Sequence, residues 1–157
     1  IGPGPAGVTA AYFLALDGYK GIVDESMPEA GGMMRYGIPE HRLPRSVLDA
    51  EIGNLKRYGI EIQTDTAIGK DVTIEELREH GASAIFLAIG AWNGLKLRIP
   101  GEEGTEGVPD VTSFLREVHL GRLKKLEGKV VGIGGGHSVL DGARVALRLA
   151  ASEVNII

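Results

Sequence analysis

Cysteine is absent from this 157-residue chain. Disulfides, thiolate-held metals, iron–sulfur ligation and a CxxC redox pair are therefore excluded within these residues. Aromatic residues are scarce, at 5%, and neither sign of charge dominates: 17 Lys and Arg face 21 Asp and Glu. There is no basic field of the kind that draws nucleic acid or an anionic membrane surface. No apolar run approaches the roughly 20 residues that span a bilayer. No secretory leader is visible, and the expected compartment is the cytoplasm. His41, His80, His119 and His137 share no metal-ligand spacing, so no metal site is expected.

Glycine is what the chain has in excess: 24 residues, about twice the usual share. There is no G-X-Y period, and 43% of residues are hydrophobic, which excludes collagen and flexible linker. The glycines must gather where the backbone needs positive φ or a close approach. Around them, strand-like runs (Tyr19–Val23, Ile60–Gln63, Ala84–Ile89, Lys129–Ile133, Val154–Ile157) alternate with helical patterns over residues 8–16, 44–58 and 138–151. Thr73 and Glu76 have the spacing of a capping box, and residues 100–110 read as loop. The alternation implies an α/β chain with a largely parallel sheet. Chain ends at Ile1, directly before a glycine motif, and at Val154–Ile157, an opening strand, read as interior to a longer protein.

Two glycine loops carry the chemistry. Gly2, Gly4 and Gly7 form a GxGxxG before the helical pattern at Val8. In a βαβ dinucleotide site the first glycine makes the turn, the second admits the pyrophosphate, and the third lets helix and strand pack. The following helix start offers free N–H groups and partial positive charge to phosphate. Glu25, at the end of the next strand, lies where an acid bonds ribose hydroxyls. Alternation puts Asp24 on the opposite face. The second loop, from Gly132 to Ser138, follows another strand and precedes another helix. Val139 stands where glycine or alanine is expected, which should push that helix off its strand. Residues that choose NAD or NADP would lie beyond Ile157. Two loops on one chain imply two dinucleotides, as in a flavoprotein fed by a nicotinamide. A single-cofactor dehydrogenase has no use for the second.

Residues 28–44, PEAGGMMRYGIPEHRLP, closely resemble a segment of glutamate synthase small (beta) subunits and their relatives. Agreement continues through Ala84–Trp92, Ile99–Glu103, Phe114-Leu115, and Gly134–Gly136 with Asp141 and Arg144. On this basis the chain is identified as resembling FAD/NAD(P)-dependent oxidoreductases of the pyridine nucleotide-disulfide oxidoreductase-like superfamily.

The resemblance implies a Rossmann-like fold, with a nearly complete FAD domain at 1–127 and the beginning of an inserted NAD(P) domain at 128–157. It implies that Gly2, Gly4, Pro5, Ala6 and Gly7 cradle the FAD pyrophosphate and that Glu25 holds the ribose. Gly32, Met33, Arg42, Ile89 and Gly90 would contact the flavin cofactor. Gly134, Gly135, Gly136, His137 and Ser138 would line the phosphates of NADP or NAD. The implied activity is hydride transfer from NAD(P)H to FAD, most simply as a glutamate synthase small subunit. Electrons would pass onward to an electron-accepting large subunit or an iron–sulfur domain. A ferredoxin-NADP oxidoreductase-type subunit and a noncatalytic FAD-binding module are the alternatives. No catalytic side chain is expected, since the cofactors carry the chemistry. Trp92 would wall the flavin or pack within a loop. Val139, in place of alanine, and Gly142, in the helix where alanine is usual, are departures that weaken the nicotinamide site.

Overall fold

Pro5 opens the first helix, α1 (Pro5–Leu16), at the position where a missing N–H costs nothing. The computed structural model describes all residues from Ile1 to Ile157. They form two compact units, one of residues 1–35 and 43–90, the other of residues 36–42 and 91–157. The first contains α1, β1 (Gly21–Asp24), most of the short α2 (Met33–Tyr36), α3 (Arg45–Leu55), β2 (Ile60–Gln63) and α4 (Ile74–Glu79).

In that unit β1 and β2 pair in parallel, from Gly21 opposite Ile60 to Asp24 opposite Gln63. Gly21 does not prevent the pairing. Ala11, Val23, Leu55 and Ile60 are the core, covered by Val8, Tyr12, Ala15 and Ile62. Each large aliphatic side chain buried there contributes ~1.5–3 kcal/mol. A 3₁₀ turn over Lys56–Tyr58 ends the α3 segment, and Gly59 (φ +77°) stops it in the left-handed region. Thr73 and Glu76 form the reciprocal capping box that starts α4.

Ala84–Ile89 does not form the expected ladder strand. Its attachment is two backbone bonds to Ile1: the Ile1 ammonium donates to Phe86 O and Ala88 N–H to Ile1 O.

In the second unit β3 (Lys129–Gly132) pairs in parallel with β4 (Glu153–Ile156), and α6 (His137–Arg148) connects them. A helix not foreseen from the sequence, α5 (Val111–His119), packs on α6. The Asp110 carboxylate starts α5 by accepting the N–H groups of Thr112 and Ser113. Gly142 is where the two helices meet, since a Cβ there would lie 2.8 Å from Val111 Cγ2. Residues 36–42 belong to this unit: Tyr36 is buried with its ring 6.0 Å from that of Trp92, and Tyr36 O lies 2.7 Å from His119 Nδ1. Trp92 is half-buried, with the Arg116 guanidinium over its ring, 6.0 Å from the centroid. By packing, residues 91–127 group with residues 128–157.

Candidate functional site

The glycines of the first loop differ in what stands against them. A Cβ on Gly7 would lie 1.9 Å from Gly2 O, and one on Gly2 would lie 2.5 Å from Ala88 O. Those two positions are closed by the protein itself. Gly4 is different: no atom comes closer to its notional Cβ than Gly32 Cα at 3.8 Å. Gly4 also has an ordinary φ of −77°. Neither strain nor internal packing demands glycine there.

Gly4 is the N-cap of α1 and provides no side-chain acceptor, so the N–H groups of Ala6 and Gly7 remain uncapped by any side chain. The start of α6 is built alike, with Gly136 as an N-cap that offers no side chain to His137 and Ser138. Helices α4 and α5, by contrast, are capped by Thr73 and Asp110. The helices behind the glycine loops thus keep the donors that bind anions.

Against the first loop lies the turn at Gly31-Gly32, with φ of +129° and +51°. Gly31 N–H donates to Pro3 O at 3.0 Å, and a Cβ on Gly32 would lie 2.7 Å from Gly4 Cα. Met33 follows in α2, half-buried. Ile89 and Gly90 lie beside Gly2, whose notional Cβ is 3.3 Å from Ile89 Cα; Gly90 has φ +71°. The first unit therefore gathers Gly2, Gly4, Pro5, Ala6, Gly7, Gly32, Met33, Ile89 and Gly90 around the start of α1.

Glu25 follows β1, whose last residue, Asp24, accepts Gly2 N–H through its carbonyl at 2.9 Å. The Glu25 side chain is buried, and its Oε1 accepts Met27 N–H at 2.8 Å and the Ser26 hydroxyl at 3.2 Å. Burial pushes its carboxyl above the ordinary value, and these hydrogen bonds act in the opposite sense. Asp24 is equally buried, so burial does not separate the two acids.

In the second loop Gly134 has φ +110°, and nothing stands within 4 Å of a Cβ on Gly135 or Gly136. Gly134 to Ser138 are all exposed. Val139 is accommodated rather than expelled: its Cγ1 fills the space above Gly132. Arg42 belongs to the same unit as α6 and pairs with Asp141, Nη1 to Oδ2 at 2.5 Å. Asp141 is buried, and its Oδ1 has no hydrogen-bond partner, with Arg144 Nη1 4.0 Å away. The cation thus has an acidic partner that sequence reasoning did not assign to it.

The model for the pyridine nucleotide-disulphide oxidoreductase family matches residues 1–157. The chain belongs to that family. Among curated members, the chain is 45% identical to the beta subunit of an NADP(+)-dependent formate dehydrogenase from Moorella thermoacetica, over 100% of its own length and 22% of that protein's. It is 42% identical to the beta subunit of an NADPH-Fe(3+) oxidoreductase from Geobacter sulfurreducens, over 100% of its length and 24% of the relative's. A glutamate synthase [NADPH] small chain from Halomonas elongata is 33% identical, with 98% and 34% covered. The chain therefore spans about a quarter to a third of the curated relatives it matches. Among solved structures, Mycobacterium tuberculosis FprA in complex with NADPH superposes with a TM-score of 0.79 at 21% identity, over 99% of this chain and 41% of that one. That likeness establishes the α/β Rossmann-like fold.

Within the family fold, sequence reasoning missed two features. Arg35 is a buried arginine within the GGMMRYG run, and Asp141 holds Arg42. The signal for the first was an arginine inside an otherwise apolar and glycine-rich stretch. The second joins residues 99 positions apart, which no local pattern displays. No helix is long and apolar enough to cross a membrane.

Proposed function

We propose that this chain is the dinucleotide-binding part of an NAD(P)H-dependent flavin oxidoreductase subunit, with FAD at the first glycine loop and NADP at the second. The observation that carries the reading is the open space at Gly4, where a pyrophosphate can approach the backbone and the uncapped N–H groups at the start of α1. Gly135 and Gly136 repeat that openness at the second loop. Bound there, the two cofactors supply hydride transfer from reduced nicotinamide to flavin, with electrons leaving toward a partner subunit or an iron–sulfur domain.

The chain's own residues bind and orient. Ala6 and Gly7 N–H groups at the start of α1 take the flavin pyrophosphate, and Glu25 bonds a ribose hydroxyl. Gly32, Met33, Ile89 and Gly90 border the same site. At the second loop, the His137 and Ser138 N–H groups take phosphate. NADP is favoured over NAD by the names of the most similar relatives. Those names also widen the choice of electron acceptor beyond glutamate synthase, which is one relative among several. A beta or small subunit implies a partner chain, and we infer an electron-accepting one.

A noncatalytic flavin module is disfavoured, because the two departures that suggested it are matched by their neighbours: Val139 by Gly132 and Gly142 by Val111. The test is anaerobic titration of the purified full-length protein. Bound flavin that bleaches with NADPH is the expected result. A protein that purifies without flavin, or whose flavin no nicotinamide bleaches, overturns the proposal.

A further inference from the structure

We propose that Arg35 is a positioning residue for the first glycine loop, setting the Gly31-Gly32 turn over Gly4 and with it the opening that takes a pyrophosphate. This rests on the reading of that loop as the flavin site.

The Arg35 side chain is 8% exposed and all three of its nitrogens are engaged. Nε donates to Ala30 O at 2.6 Å, Nη1 to Glu29 Oε2 at 3.0 Å, and Nη2 to Asp49 Oδ1 of α3. The guanidinium thus fastens the residue just before the turn to a helix of the core. A relay follows from there. Ala30 O is held, the next N–H, of Gly31, is aimed at Pro3 O, and Gly32 is set so close to Gly4 that Gly32 itself has no room for a side chain.

The turn returns the contact, because a Cβ on Gly31 would lie 3.1 Å from both Arg35 Cβ and Leu48 Cδ2. Arg35 N–H also donates to Gly32 O at 3.0 Å, closing the loop on itself. Three bonds diverging from one planar group fix direction as well as distance, which a lysine ammonium on a flexible stem does not. Arg35 sends no nitrogen toward a ligand site of its own. Its effect on the cofactor is transmitted through backbone.

The test compares Arg35→Lys and Asp49→Asn with the wild type in the full-length protein. FAD affinity is read by quenching of flavin fluorescence, NADP affinity by calorimetry, and folding by far-ultraviolet circular dichroism. Arg35→Lys should weaken FAD about tenfold, as expected for losing directed charge-assisted bonds. Asp49→Asn, removing one exposed partner, should weaken FAD about threefold while leaving the fold intact. NADP binding should stay at the wild-type value in both. Unchanged FAD affinity in Asp49→Asn and Arg35→Lys overturns the proposal. So does a parallel loss of FAD and NADP binding, which would make Arg35 merely structural. A wild type that binds no FAD overturns the flavin assignment itself, and is recognised because it needs no substitution.

Discussion

Val139 Cγ1 occupies the space that a side chain on Gly132 would require, 2.8 Å from where a Cβ there would sit. The third position of the second fingerprint is large here, and the strand beneath it gives way by carrying no side chain. Gly132 and Val139 are therefore a sterically matched pair.

Gly132→Ala should lower stability by about 1–3 kcal/mol, the usual cost of overpacking a filled site. Val139→Ala in the same chain should recover part of that loss, giving a coupling between the two sites. Urea unfolding of both singles and the double measures it. Strict additivity would refute the pairing.

Glycines of the first loop should separate cleanly under substitution. Gly4→Ala would meet only Gly32 Cα, at an ordinary contact distance of 3.8 Å, and no strained φ, so its thermal midpoint should stay near wild type while flavin is lost on purification. Gly7→Ala would place a methyl 1.9 Å from Gly2 O and should compromise folding itself. Differential scanning fluorimetry beside flavin extraction distinguishes these outcomes, and a fully flavinated Gly4→Ala would count against the site.

Glu25 sets a pH dependence whose sign follows from its raised carboxyl pKa, caused first by burial. The folded chain holds this proton more tightly than the unfolded chain, where the value is about 4.3. Stability therefore falls as pH rises from that unfolded value through the folded one. Glu25→Gln abolishes this loss, so relative to wild type it should gain stability as pH rises from the unfolded value to the folded one, and the gain should level off above it. Flavin affinity should move the other way and fall in the variant. Melting curves at several pH values, with flavin titrations at neutral pH, check both halves.

Arg42→Met should be costly although Arg42 is 43% exposed, because it strands the Asp141 carboxylate, which is 5% exposed. Leaving one buried carboxylate without its partner costs about 1–3 kcal/mol when that partner is itself half-exposed and screened by water. Arg144, 4.0 Å from the other oxygen, should reduce that figure by moving closer. A second change, Asp141→Leu, should restore much of the loss. If Arg42→Met melts with the wild type, the pair is not structural.

Most of the fold was legible because its signals are local. The parallel strands announced themselves as short β-branched runs, α1 and α6 as helices behind glycine loops, and α4 by Thr73 and Glu76. Helix α5 was hidden by the glycine-rich stretch before it, although Asp110 with Ser113 three residues on was a readable start signal. The packing around Val139 and Gly142 was hidden for a different reason. Each breaks a pattern at its own position, and the residues that compensate, Gly132 and Val111, become neighbours only after folding. At the site, the glycines were readable from spacing, but their division into closed positions (Gly2, Gly7) and an open one (Gly4) was not. The Arg42–Asp141 pair and the Arg35 clasp depend on contacts that no periodicity records.

Residues 36–42 leave one compact unit, count as part of the other, and the chain then resumes the first at Leu43. The second unit is therefore not a continuous stretch of sequence and cannot be excised by a single cut. A fragment beginning at Ala91 would keep Trp92 without Tyr36, His119 without the Tyr36 carbonyl, and Asp141 without Arg42. Any dissection or domain exchange in this protein has to carry that seven-residue excursion along with the loop and helix of the second unit.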